Sequence, residues 1–231
     1  MTVRDLVRPV PGVQRLSLLR QRIGFRGSAQ YWERNYACGG TSGPGSYGAL
    51  AEGKAAFLNA FVHEHGVGSV IEFGCGDGHQ LSLARYPRYV GVDVSRTAIG
   101  LCRRQFAHDG TKSFFLYDDA CFVDRAGLFT AELALSLDVI YHLTEDAVFE
   151  AYMQHLFAAA GRFVIVYSTN AEMGGTAPHV RHRRFTDWVD ARCPEWQLSG
   201  VTPGPNSGPG RADFFTYQQV PFRGVRRGLS P

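Results

Sequence analysis

The sequence lacks the features that would assign it to a membrane, secreted or disulfide-stabilised class of protein. No apolar run approaches the ~20 residues of a membrane span, and arginines interrupt the N-terminal stretch where a signal peptide would be apolar. Its five cysteines, an odd number without a CxxC pair, indicate neither a disulfide framework nor a zinc site. These absences favour a cytoplasmic protein with reduced thiols and no membrane partner.

Basic residues are concentrated at the two ends of the chain, although the 231-residue sequence carries a net charge of only +3. Six arginines lie within residues 1–27, and three more lie within residues 222–231. Residues 28–221 therefore carry 15 basic and 20 acidic side chains, which disfavours nucleic acid as a partner. We interpret the ends as solvated tails, with an acidic partner or an organellar transit peptide as open alternatives.

Apolar runs alternate with helical periodicity from residue 67 onward. Strands are predicted over 67–73, 89–94, 113–119, 133–143, 162–169, 196–201 and 213–220, and helices over 13–23, 49–65, 96–106 and 145–160 with a further start at 79. The alternation predicts an α/β fold with a doubly wound sheet of seven strands, mostly parallel, ending in an antiparallel hairpin. The expected divisions are a helical or lid extension over 1–60, a core over 61–222 and a basic tail over 223–231.

Three glycines, Gly74, Gly76 and Gly78, alternate at the end of the first predicted strand, which contains Glu72. Glycine at this density allows the backbone to bend sharply or to approach a ligand closely. A dinucleotide-binding GxGxxG sequence would place its third glycine at position 79, which is histidine here. The spacing therefore disfavours NAD. Asp93, 19 residues after Gly74, lies at the end of the second predicted strand. An acid at this position is expected to bind a ribose whether the cofactor is a dinucleotide or another molecule.

Four segments resemble the ordered motifs of class I S-adenosylmethionine-dependent methyltransferases. They are EFGCGDG at 72–78, GVDVS at 91–95, LYDDACF at 116–122 and LSLDVIYHL at 135–143. The resemblance covers about residues 67–170 and the final hairpin, and it implies a Rossmann-like fold with S-adenosylmethionine as cofactor.

The resemblance also implies roles for individual residues. Glu72 would support the glycine loop and the methionine ammonium, and Asp93 would accept from the ribose hydroxyls. Asp119 would accept from the adenine amino group while the amide of Ala120 pairs with a ring nitrogen. The full set of expected cofactor-binding residues is Glu72, Gly74, Cys75, Gly76, Gly78, Asp93, Val94, Asp119, Ala120 and Leu137. Open alternatives are that Glu72 or Asp93 only caps backbone amides and that Asp118 takes the place of Asp119.

The expected reaction is methyl transfer to an oxygen or nitrogen of a small-molecule acceptor, in natural product biosynthesis for example. An alcohol or phenol must lose a proton to a nearby base. Tyr141 and His142 follow the fourth strand and are the catalytic candidates, with His142 as the base. Asp138 would orient the histidine or contact the substrate. The alternatives are that His142 is a hydrogen-bonded structural residue and that Asp138 caps a helix.

A basic cluster after the fifth strand is the second candidate for acceptor binding. His179, Arg181 and Arg183 could hold an anionic acceptor, or the loop could be solvated and pair with Asp187 and Asp190. The HxxH spacing beginning at His179 and the pair Asp138 and Asn170 have no further acidic ligand nearby, so no metal is expected.

The stretch 28–48 is rich in glycine and aromatic residues. Its segment 37–48 has too many glycines for a regular element, and the loop 39–48 is expected to close over the site as a lid, with Tyr36 and Tyr47 contacting substrate. The alternative is that Tyr31, Trp32 and Tyr36 pack a helix onto the sheet.

Other functions remain open at this point because the fold supports many chemistries. An RNA methyltransferase is one, although the chain has no Asn/Asp-Pro-Pro-aromatic tetrapeptide after the fourth strand. A scaffold or cyclase that binds the cofactor without methyl transfer is another. A homodimer is an open alternative to a monomer.

Overall fold

The computed structural model describes residues 27–175, 177–205 and 211–220. In these ranges the chain forms seven strands and six α-helices. The strands are β1 Val70–Phe73, β2 Tyr89–Asp93, β3 Lys112–Leu116, β4 Ala131–Leu137, β5 Ala160–Ser168, β6 Trp196–Pro203 and β7 Asp213–Gln219. The helices are α1 Ser28–Ala37, α2 Gly48–Glu64, α3 His79–Ser82, α4 Arg96–Gln105, α5 Asp146–Ala158 and α6 Phe185–Arg192, with short 3₁₀ helices at Pro44–Ser46 and Ile140–His142.

The seven strands form one sheet in the order β3-β2-β1-β4-β5-β7-β6. Strands β1 to β5 are parallel, and Val70 of β1 lies between Tyr89 of β2 and Leu133 of β4. Strand β7 runs antiparallel to both β5 and β6. The predicted fold class, with its antiparallel C-terminal hairpin, is confirmed.

The strand order places a cleft at the carboxyl end of β1. The chain continues from β1 to β2 on one side of that strand and returns as β4 on its other side. Loops that leave β1 and β4 therefore diverge, and ligands of such sheets bind at this switch in strand order.

Alternating side chains of the central strands enter two separate apolar layers. Leu133 and Leu135 of β4 pack with α2 on one face of the sheet. Ala134 faces the opposite layer, where it packs with residues of α5 and α6. Both faces are thus covered, which explains why these strands are nearly continuous apolar runs in sequence.

Two helices were not among the predicted elements. Helix α6 follows the basic cluster, and its periodicity rests on Phe185 and Val189, both fully buried. Two apolar positions between charged residues are too few to predict a helix from sequence. The helix therefore forms because tertiary packing buries these two side chains. Helix α1 is the element that the packing alternative for Tyr31, Trp32 and Tyr36 requires.

Several predicted boundaries differ from those observed. The third strand ends at Leu116, and the helix that begins at His79 ends at Ser82. Segment 37–48 is irregular apart from one 3₁₀ turn. The predicted helix 13–23 and the basic tail 223–231 lie outside the described residues.

Candidate functional site

A cavity of about 310 Å³ lies at the carboxyl ends of β1, β2 and β4. Most of the expected cofactor-binding residues line it: Glu72, Gly74, Cys75, Gly76, Asp93, Val94, Asp119 and Leu137. The strands bring these residues together because their carboxyl ends share one edge of the sheet. We call this space the first cavity.

The glycine loop forms part of the cavity wall with backbone alone. Gly74 and Gly76 have φ angles of 84° and 57°, in the left-handed region that glycine adopts at little cost. A Cβ on Gly74 would lie 2.5 Å from Val139 Cγ2, and one on Gly76 would overlap the Ser42 hydroxyl. Gly78 opens α3 beside Cys102 and does not line the cavity.

Two buried carboxyl groups face the first cavity. Glu72 accepts a hydrogen bond from the Tyr89 hydroxyl at 2.6 Å, and burial raises its pKa to about 7. Asp93 accepts from the backbone N–H groups of Gly76 and Ser95 at 2.9 and 2.8 Å. Burial raises the pKa of Asp93 to about 6 despite these bonds. A carboxylate has about four lone-pair positions, so Asp93 keeps acceptor capacity for a ligand.

Gln80 presents an unpaired acceptor to the same cavity. Its Nε2 donates to the carbonyl oxygen of Ala51 at 3.1 Å. The Oε1 atom is buried and has no hydrogen-bond partner among the described residues, although Gln80 lines the cavity. A buried orphan acceptor costs free energy unless a ligand supplies a donor. Nothing in the sequence pattern singled out Gln80.

Lys54 is a second residue that the sequence analysis missed. It is 1% exposed, and its Nζ lies 2.6 Å from Oδ2 of Asp138. Asp138 has a φ of 61°, which non-glycine residues seldom adopt, and its Oδ1 accepts from the Tyr141 hydroxyl at 2.8 Å. The sequence did contain a sign that Lys54 is buried. It lies three residues after Ala51 and four before Leu58, so helical spacing places it on the buried face of α2.

Of the two residues expected to contact adenine, only one lines the first cavity. Of the two acids that follow β3, Asp119 lines the cavity and Asp118 does not. Ala120 is exposed, does not line it, and donates its N–H to Oδ1 of Asp118 at 3.0 Å. Its amide is therefore already engaged by the neighbouring acid.

A second cavity, of about 550 Å³, adjoins the first. Its lining comes from α1, the segment 40–45, the 3₁₀ turn after β4 and the loop before α6. Trp32, Ser42, Asp138 and His142 line both cavities, so the two spaces meet there. Tyr141 and His179 line the second cavity only.

His142 is held at this boundary in a defined tautomer. Its Nδ1 lies 3.0 Å from the carbonyl oxygen of His179. Because a carbonyl can only accept, Nδ1 carries the proton and Nε2 keeps a free lone pair. Burial lowers the pKa of His142 to about 4, so the ring is neutral at pH 7.

The two candidate arginines share one exposed acidic partner. Arg181 and Arg183 pair with Oδ1 of Asp146 at 2.8 and 3.0 Å, instead of with Asp187 or Asp190. Both also donate to the carbonyl oxygen of Thr144. Neither lines the first or second cavity, so they tie the loop before α6 to the start of α5.

Tyr36 and Tyr47 also lie outside the walls of both cavities. The Tyr36 hydroxyl is 3.0 Å from Ser42 Oγ, and the Tyr47 hydroxyl donates to Asp77 at 2.8 Å. Asp77, inside the glycine motif, also accepts from the backbone N–H of Ser42 at 2.8 Å. The two tyrosines therefore anchor the segment 38–47 that covers the site. Whether this segment opens as a lid stays a prediction.

No group of three or more His, Cys, Asp or Glu side chains in the described ranges is arranged to hold a metal ion. No helix in them is long and apolar enough to cross a membrane.

Comparisons with known proteins agree with this geometry. A family model described as "Methyltransferase domain" matches residues 48–198. The N-methyltransferase NodS from Bradyrhizobium japonicum WM9 is 14% identical, covers 84% of this chain and all of its own, and has a TM-score of 0.66. Magnesium protoporphyrin IX methyltransferase (ChlM) from Synechocystis PCC 6803 is 16% identical over 90% of this chain and 95% of its own, with a TM-score of 0.57.

A third structure, the methyltransferase domain of a bacterial Hen1, is 19% identical over 75% of this chain and all of that one, with a TM-score of 0.59. Identities this low establish the fold alone. No curated protein sequence matches the chain.

Proposed function

The chain belongs to the class I S-adenosylmethionine-dependent methyltransferase family, and we propose that it transfers a methyl group to an oxygen or nitrogen of a small molecule. The observation that carries the proposal is the second cavity. It meets the first at Trp32, Asp138 and His142, so an acceptor and the cofactor can lie side by side. Neither cavity has a lysine or arginine in its described lining except Lys54, which Asp138 already neutralises.

The residues of the first cavity fit S-adenosylmethionine. Asp93 would accept from the ribose hydroxyls, and Asp119 would accept from the adenine amino group. Glu72 and the orphan Oε1 of Gln80 would accept from the methionine ammonium. When bound, the cofactor supplies a methyl carbon on a positively charged sulfur, which keeps the electron pair of the broken bond.

The chain's own residues would then orient the acceptor and exclude water. Trp32 and Ser42 line both cavities where these meet, and the anchored segment 38–47 covers the site. Nε2 of His142 would accept the proton that a hydroxyl acceptor releases. The Lys54–Asp138 pair would fix the Tyr141 hydroxyl beside this position.

The proposal is tested with S-adenosylmethionine labelled in its methyl group. The purified protein is incubated separately with a low-molecular-mass cell extract, with total RNA and with protein, and Asp93→Ala serves as the blank. We expect label in the low-mass pool only. Label in RNA would establish the nucleic-acid alternative. Binding of S-adenosylhomocysteine in a calorimeter, with no label in any pool, would favour a scaffold or cyclase.

A further inference from the structure

Five of the thirteen residues that line the second cavity carry aromatic rings. These are Tyr31, Trp32, Tyr141, His142 and His179. The rings of Tyr31 and His179 are stacked with centroids 4.1 Å apart, and Trp32 meets His142 edge-on at 4.8 Å. Aromatic ligands interact favourably with both the faces and the edges of such rings.

This lining carries no uncompensated charge at pH 7. Burial lowers the pKa of His142 to about 4 and holds the pKa of His179 below its usual value, so both rings are neutral. Asp138 is the one carboxylate among the described lining residues. Its two oxygens already bind Lys54 Nζ and the Tyr141 hydroxyl.

The uncharged lining favours one of three chemical classes of acceptor over the other two. A phosphate or carboxylate would lose its hydration without meeting an arginine or lysine, because the described lining has none. An ammonium group would have to compete with Lys54 for Asp138. An uncharged aromatic molecule loses little hydration and gains ring contacts, so the cavity favours it.

A hydrogen-bond acceptor lies where the two cavities meet. Nδ1 of His142 donates to the His179 carbonyl, which leaves the Nε2 lone pair for a donor on the ligand. An acceptor molecule with a hydroxyl group supplies that donor.

We propose that the methyl acceptor is a neutral, hydroxylated aromatic molecule whose ring lies among these side chains and whose hydroxyl donates to Nε2 of His142. This inference rests on the methyltransferase function proposed above. The hydroxyl oxygen would form the new bond to the methyl carbon as the bond between that carbon and the cofactor sulfur breaks, with the electron pair leaving on sulfur. The hydroxyl proton would pass to His142 and then to water. The product is an aryl methyl ether.

The test uses four probes of similar size, titrated calorimetrically into the full chain saturated with S-adenosylhomocysteine. They are 2-naphthol, its saturated analogue 2-decalol, the anion 2-naphthyl phosphate and the cation 2-naphthylmethylammonium. We expect 2-naphthol to bind at least about tenfold more tightly than each of the others, on the scale of aromatic ring contacts. Equal or tighter binding of 2-decalol would remove the aromatic preference, and equal or tighter binding of either ion would reassign the cavity to that charge.

Variants at Tyr31 locate the binding. Tyr31 lines the second cavity and not the first, so cofactor affinity should not change. Tyr31→Leu should weaken 2-naphthol about tenfold, whereas Tyr31→Phe keeps the ring and should stay within about twofold. Phe115→Leu, at a 45% exposed ring on β3, is the control and should bind as wild type. Wild-type affinity for 2-naphthol in Tyr31→Leu would overturn the proposal, and the probe series on the wild type stands even if a variant does not fold.

The calorimetry distinguishes an error in the methyltransferase function from an error in the acceptor class. If S-adenosylhomocysteine does not bind, the methyltransferase function itself is wrong. If it binds and 2-naphthol shows no preference, only the acceptor class is wrong.

Discussion

The two cavities are built from different kinds of structure. The first is formed by strand ends, the glycine backbone and buried carboxyl groups such as Glu72 and Asp93. The second is formed by α1, the glycine-rich segment 40–45 and two loops, and its polar groups are neutral or paired. The first can bind a ligand by hydrogen bonds at specified atoms, whereas the second offers shape and ring surface.

The largest effect on ligand binding is expected at Asp93, in the first cavity. Asp93→Ala should weaken S-adenosylhomocysteine about 1000-fold, because two hydrogen bonds to a charged acceptor contribute roughly 1.5–3 kcal/mol each. Calorimetry at pH 8 keeps the wild-type carboxyl ionised, since its pKa is raised to about 6. Asp190→Ala, at an exposed acid of α6, is the control. A loss of less than tenfold in a folded Asp93→Ala protein would remove Asp93 from the ribose site.

Lys54 tests the boundary between the two cavities. Lys54→Met leaves Asp138 without its partner in a partly buried site and should lower the free energy of unfolding by about 3 kcal/mol. Adding Asp138→Asn should recover most of that loss in urea denaturation. Arg162→Met breaks the exposed pair with Glu132 and should cost less than about 1 kcal/mol. Equal losses of unfolding free energy in Lys54→Met and Arg162→Met would show that burial does not change how much these ion pairs contribute to stability.

His142 tests the chemistry assigned to the second cavity. His142→Asn retains an N–H donor for the His179 carbonyl but has no ring nitrogen to accept a proton, so kcat should fall about 100-fold with cofactor affinity unchanged. The exposed His63→Asn is the matched control. Wild-type turnover in His142→Asn would exclude His142 as the base.

The pH dependence sharpens that assignment. The pKa of His142 is depressed in the folded protein to about 4, below the 6.5 of a free histidine. The acidic limb of kcat, at saturating cofactor, should therefore lie near pH 4. The unfolded chain binds the proton first as the pH falls from 6.5 to 4, so folding stability should decrease over this window. His142→Asn should reduce that decrease, and an acidic limb near 6.5 would contradict the assignment.

The smallest effect is expected at the arginines outside both cavities. Arg181→Ala combined with Arg183→Ala should leave the KM for the acceptor within about twofold. It should cost only about 1–2 kcal/mol of stability, because Asp146, the partner of both, is exposed. A large rise in KM, with stability preserved, would support the prediction that this cluster holds an anionic substrate.

Sequence alone determined the sheet and most of the first cavity. The seven strands are local patterns, and EFGCGDG at 72–78 brings Glu72 and the glycines together within a few residues of one strand end. Parallel strands place their carboxyl ends at one edge, and Asp93 and Leu137, which the family resemblance assigned to the cofactor, line the same cavity.

Only the tertiary structure decided the second cavity and the charges around it. Its walls come from segments more than 100 residues apart, such as Trp32 and His142, and no local period encodes their contact. Lys54 and Gln80 became recognisable once burial showed an ion pair and an orphan oxygen. The partners of Arg181 and Arg183 were also open, because a sequence shows that a side chain is charged but not which group it meets after folding. In the structure both pair with Asp146.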